Sequence, residues 1–203
     1  MNDLCAGPSG SQAARVRILG WLAEGAREVT WALCSLSREH WTAMPAERFG
    51  SWPALRHERH LVLNERYVTL PAVRSALGGE GEGPGSGVTL EQADAAWDPV
   101  AAFETADELI HELGSQRFEL LQRLEGAPDE AWDQSLPHTR AADAPPRLGE
   151  LVLRARQHEL EHLAMIWRIA LYWDRVSPSN QRHAPAGAVG LPLHPADRLE
   201  ESH

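Results

Sequence analysis

Apolar residues recur at steps of three and four along four stretches of the chain, the spacing of one face of an α-helix. In the first, Leu19, Leu22, Ala26, Val29, Leu33 and Leu36 predict a helix from Gln12 to about Ser37–His40. Ser51 then reads as an N-cap with Pro53 in the first turn, opening a second helix on Leu55, Leu61, Val62, Tyr67 and Val68 that Pro71 ends or kinks. A third runs from about Pro99 to Leu124 on Phe103, Ala106, Ile110, Leu113, Leu120 and Leu124. The fourth, from about Leu148 to Val176, has the seam Leu151, Ala155, His158, His162, Met165, Ile169 and Trp173. No stretch reads as a strand; Arg66–Leu70 is β-prone in composition but sits inside a helical period.

Between these stretches the pattern stops. Residues 78–88, GGEGEGPGSGV, form a glycine-rich connection between helices two and three, and Pro128, Pro137 and ADAPPR mark a long connection before helix four. Residues 1–11 and 177–203 have no periodic apolar face and are expected to be flexible tails. The expected fold is therefore all-α, a four-helix bundle over residues 12–176.

Composition narrows the function. The 203 residues carry 29 acids against 19 bases, a net charge of −10, and no basic stripe interrupts that field, which disfavours nucleic acid. Every one of those bases is arginine, so lysine Schiff-base chemistry is excluded. No uninterrupted apolar run reaches membrane-spanning length, and MNDLCAGPSGSQ lacks the basic and apolar regions of a secretory signal; a cytoplasmic protein is expected. Cys5 and Cys34 have no C-x-x-C partner, and Cys34 is expected to be a small core residue.

His158 and His162 stand four apart on the last helix and so project from one face. Two imidazoles on an apolar seam need partners for their ring nitrogens, and a shared metal ion supplies one. His158-Glu159-Leu160-Glu161-His162 matches the H-E-x-x-H zinc-protease pattern, but no sheet precedes it and the metzincin continuation fails at His162–Arg168. The second helix offers His57 and His60 as further ligands. Three imidazoles with an open position suit zinc, nickel or iron(II). His40 and His111 are less well placed, and His138, His183, His194 and His203 are expected to be solvated.

The order of these features resembles the DinB-like (DinB/YfiT) superfamily. Trp52 is followed eight residues later by His60, H-x-x-x-H at His158 and His162 continues into LAMIWRI, and LQRLEGAPDEAW resembles the end of the family's third helix. The resemblance spans roughly residues 12–175 and implies a four-helix bundle holding a divalent metal on His60, His158 and His162, with His60 rather than His57 as the third ligand. It departs at Glu159, where the family often has Asp, at Met165, where it often has Gln, and in the additional His57. It further implies a small-molecule substrate, with transferases or isomerases that use low-molecular-weight thiols such as mycothiol, bacillithiol or glutathione among the characterised members, and homodimers among the assemblies. Glu159 or Glu161 as a base, Tyr67 as a donor, and Arg56 and Arg59 as contacts for an anionic substrate are the accompanying candidates. The reading is a metal-dependent S-transferase or hydrolase; the alternative is a non-catalytic, dimeric metal-binding bundle. Because the C-terminal segment offers no periodic apolar face, removing residues 180–203 is expected to leave the melting temperature nearly unchanged. A large drop in a thermal melt would show that this segment docks.

Overall fold

The computed structural model describes residues 10–78, 88–136 and 146–176; the expected tails beyond them and most of the glycine-rich connection lie outside the described residues. The first helix, α1, spans Gly10–Cys34, beginning two residues before the expected start. Two 3-10 turns, Arg38–His40 and Glu47–Phe49, carry the chain to α2, Ala54–Asn64. A π-helical turn, Glu65–Thr69, joins α2 to α3, Leu70–Ala76, in one continuous rod. Pro71 has no N–H to give and its ring crowds the carbonyl four residues back. The helix accommodates it by widening the preceding turn and continues to Ala76 rather than ending.

Two short helices follow, α4 (Leu90–Ala95) and α5 (Pro99–Glu104). A break at Thr105 separates α5 from α6, Ala106–Glu125, where the periodicity predicts a single helix. After the one-turn α7, Asp129–Trp132, the last helix α8 runs Leu148–Val176, as expected. Among the described residues there is no strand, only an isolated bridge between Ser135 and Arg147. The four long rods are α1, α2 with α3, α6 and α8; α1 packs against α8 and α6, and α2 packs against the same two.

The α1 face is the predicted one: Leu22, Ala26, Val29, Leu33 and Leu36 are buried. On α8 Ile169 of the expected seam is buried, but the rest of the buried stripe lies one residue beyond that seam, at Val152, Arg156, Glu159, Leu163, Ile166 and Ala170, with Leu148 at its start. Two charged residues occupy the middle of that stripe because they are paired. Arg117 of α6 donates to both oxygens of Glu65 at 3.0 and 2.9 Å, to Glu159 Oε1 at 2.8 Å and to the Leu22 carbonyl at 2.6 Å. Arg156 takes the other oxygen of Glu159 at 2.6 Å and reaches Glu28 of α1 at 2.8 Å. Two expectations fail outward: Cys34 is exposed, and Phe103 is 36% exposed with the Arg38 guanidinium over its ring. Cys34 shares the outward face of α1 with the exposed Trp31, and the break at Thr105 takes Phe103 out of the register of α6.

Gly25 on α1 makes room for the ion pairs. A Cβ there would collide with the Glu159 carboxylate and with Arg156 Nη1. Gly20, on the same helix, has nothing within 4 Å of the corresponding position. Helix propensity alone favours alanine over glycine by about 1 kcal/mol. Gly20→Ala is therefore expected to stabilise the protein by up to about 1 kcal/mol in urea unfolding, whereas Gly25→Ala is expected to destabilise it by about 2 kcal/mol or more by displacing a buried pair. Equal effects of the two changes would contradict the close packing at Gly25.

Candidate metal centre

α2 and α8 pack side by side, and their facing edges carry four imidazoles. Nitrogen atoms of His60, His158 and His162 all lie within 4.8 Å of one another. His158 and His162 approach through Nε2 atoms 3.1 Å apart, and the His60 ring lies 4.8 Å from His162 and 5.2 Å from His158, centroid to centroid. His57, one turn earlier on α2, is buried and places Nδ1 at 2.9 Å from His162 Nδ1. Trp52 walls the group, its ring 5.2 Å from His60, 5.3 Å from His57 and 5.9 Å from His162.

The displaced stripe on α8 explains this placement. With Glu159 and Arg156 turned into the core, His158 and His162 sit at the edge of the stripe facing α2, half-buried rather than enclosed. Burial pushes His162 down to about 3, with His158, His57 and His60 adding to the shift. Burial likewise pushes His57 down to about 4, with further contributions from His60 and Arg56, and lowers His158, with His60 next. These rings are neutral at pH 7 and their nitrogen lone pairs are available.

The donor set fits a divalent ion. Two nitrogens about 2.1 Å from one tetrahedral zinc lie roughly 3.4 Å apart, close to the separation of the two Nε2 atoms. His60 Nδ1 lies 3.4 Å from Asp94 Oδ1, which leaves the other nitrogen of His60 for a ligand role. His158 Nδ1 is buried without a hydrogen-bond partner.

Asp94 was not a candidate from the sequence. It rides on α4, whose start is set by a capping box between Thr89 and Gln92; that T-x-x-Q pattern is the available sequence signal. Asp94 stands 3.6 Å from Arg56 and 3.9 Å from Arg59, so these arginines are drawn to an aspartate of α4. Arg56 also lies over the Trp52 ring at 4.4 Å, and Arg59 donates to the Ala93 carbonyl at 2.8 Å. Arg56 Nε and Arg59 Nη1 remain buried and without hydrogen-bond partners.

The other candidates are placed elsewhere. Glu159 is buried with both oxygens bound by arginines, so it is neither solvated nor free to act as a base. Glu161 is exposed. Tyr67 lies in the π turn and lines a groove with Pro71, Leu136, Leu151 and Arg154. His40 stacks on Trp173 at 4.3 Å, and His111 is exposed on α6. His138, His183, His194 and His203 lie outside the described residues. Glu58, two residues from His60 and so on the opposite side of α2, is buried with neither oxygen partnered, and burial pushes it up to about 8.

A family model described as the DinB superfamily matches residues 22–166. No curated protein and no solved structure matches the chain. Among the described residues no helix is long and apolar enough to cross a membrane.

The shifted groups give the metal-free protein a stability optimum. His57 and His162 stay neutral in the fold while the unfolded chain protonates them below pH 6.5, so stability falls as pH drops from 6.5 towards 4. Glu58 acts oppositely: the unfolded chain ionises it above 4.5 while the fold keeps its proton up to about 8, so stability falls as pH rises through that range. Each group contributes at most about 1.4 kcal/mol per pH unit. Between pH 4.5 and 6.5 two histidines outweigh one glutamate, and above 6.5 Glu58 acts alone. Urea unfolding in chelator is expected to show maximal stability near pH 6.5, with Glu58→Gln abolishing the decline above it. A wild-type profile flat from 6.5 to 8 would refute the burial of an unpartnered carboxyl.

Proposed function

The chain belongs to the DinB superfamily, and on that premise we propose that it is a divalent-metal-dependent enzyme acting on a small molecule through a low-molecular-weight thiol, as an S-transferase or hydrolase. The observation that carries this reading is the convergence of three imidazoles, His60, His158 and His162, from two packed helices. In the proposal these three hold the metal, with zinc or nickel as the best match to an all-imidazole set and iron as a further choice. A divalent ion bound there would lower the pKa of a coordinated thiol or water, supplying thiolate or hydroxide near neutral pH.

The chain's own groups supply the rest. Helix packing fixes the direction of the three rings, so little ordering remains when a ligand binds. Trp52 shields one side of the cluster from water. Arg56 and Arg59, beside His60, share the single carboxylate of Asp94 and keep Arg56 Nε and Arg59 Nη1 without a hydrogen bond, which leaves positive charge for an anionic group such as the carboxylates of a small thiol.

One observation favours the second reading, a non-catalytic bundle acting through self-association. Trp31 and Trp21 on α1 and Leu160 and Leu171 on α8 are exposed, and Trp31 makes an edge contact with Trp167 at 5.0 Å. The Trp31–Trp167 pair, with Trp31 67% exposed, fits an interface between two copies of the chain.

Metal analysis of protein purified without chelator or metal affinity tests the site. Wild type is expected to hold about one divalent ion per chain and to gain melting temperature on adding it, because only the fold binds it. His60→Ala, His158→Ala and His162→Ala are each expected to lose the metal and that gain while keeping helical circular dichroism. Retention of full metal by His60→Ala would refute the ligand set. A thiol-transfer screen on the loaded protein separates the two readings, since the non-catalytic bundle turns over nothing.

A further inference from the structure

His57 has no place in the three-histidine set, yet it is buried against it. Resting on the metal reading above, we propose that His57 is a positioning residue for His162: its Nδ1 accepts the Nδ1 hydrogen of His162 and so presents His162 Nε2, unprotonated, to the metal position.

The two Nδ1 atoms are 2.9 Å apart, a hydrogen bond in which one ring must donate and the other accept. A neutral imidazole carries one hydrogen. If His57 donated, His162 would carry its hydrogen on Nε2, the nitrogen 3.1 Å from His158 Nε2, and could not offer a lone pair there. If His162 donates, its Nε2 lone pair is free and faces the nitrogens of His158 and His60. The hydrogen bond to His57 thus selects the tautomer that a ligand needs.

His57 is not itself a fourth ligand in this arrangement. Its nitrogen nearest the cluster bonds to Nδ1 of His162, on the far side of that ring from Nε2. The group of nitrogens within 4.8 Å of one another comprises His60, His158 and His162 without His57. Asp94 Oδ1 stands 3.4 Å from His60 Nδ1 without a hydrogen bond between them, so the His57–His162 bond has no counterpart at His60. A neutral acceptor leaves His162 less basic than a carboxylate would, so the pair orients the ring without adding charge to the site.

The test is zinc affinity by competition with a chromophoric chelator, for wild type, His57→Leu and His57→Gln. Leucine fills the volume but accepts nothing; the glutamine Oε1 can accept from His162. His57→Leu is expected to bind zinc about 10- to 100-fold more weakly, and His57→Gln to recover most of that loss. Equal affinity of wild type and His57→Leu overturns the proposal, as does failure of glutamine to recover any of the loss. Complete loss in His57→Leu, matching His162→Ala, also overturns it by making His57 a ligand. Should the leucine variant not fold, nitrogen-15 chemical shifts of the zinc-bound wild type decide: His57 must hold its hydrogen on Nε2 and His162 on Nδ1, and the reverse overturns the assignment. Absence of zinc binding by wild type is a separate result, and removes the metal reading itself.

Discussion

Arg117, buried between Glu65 and Glu159, holds three helical segments in one rotational setting. A guanidinium in an apolar interior is costly unless its N–H groups are taken up, and here Glu65, Glu159 and the Leu22 carbonyl take them. Glu159 can meet Arg117 only if α8 turns that residue inward. His158 and His162, one residue before and three after, are then turned towards α2. Replacing these pairs by apolar groups of similar volume is not destabilising in principle, so their value lies in angular definition more than in net stability. The site inherits its geometry from a set of charges that never touch it.

That arrangement also marks where reading the chain succeeds and where it fails. The existence of the helices was legible because Leu22, Ala26, Val29 and Leu33 on α1, or Leu113, Leu120 and Leu124 on α6, follow an uncomplicated apolar period. The His158–His162 pair was legible from spacing on α8, and His60 from the family resemblance at Trp52–His60, the spacing on α2 leaving His57 and His60 open. The rotation of α8 was not. Arg156 and Glu159 read as surface residues by type, and only a partner on another helix, Arg117, makes them interior. The π turn was not legible either: a turn widened ahead of Pro71 changes the angular count, and regular periodicity carries no sign of it. Asp94 was missed because its role comes from where α4 docks, which no local pattern encodes.

Unpartnered polar atoms gather around the histidines. Arg56 Nε, Arg59 Nη1, His57 Nε2, His60 Nδ1, Asp94 Oδ1 and His158 Nδ1 are all buried without a hydrogen bond, whereas the charged network in the core is fully engaged. Native interiors tolerate few such atoms, and their concentration in one place is the signature of groups held ready for a ligand at the expense of stability. Glu58 on the other side of α2, Gln116 Oε1, Trp132 Nε1 and Trp173 Nε1 are also unpartnered, and nothing in the structure explains the retention of Glu58.

The interior charges are far apart along the chain: Arg117 from Glu65 by 52 positions and from Glu159 by 42. A three-helix intermediate formed before α8 docks would hold Arg117 without the Glu159 carboxylate. Partial structures are therefore penalised by unmet charge as well as by missing apolar contact, and the penalty disappears only in the last step. Such wiring makes assembly of the rods an all-or-none event, so that the histidine face exists either complete or not at all.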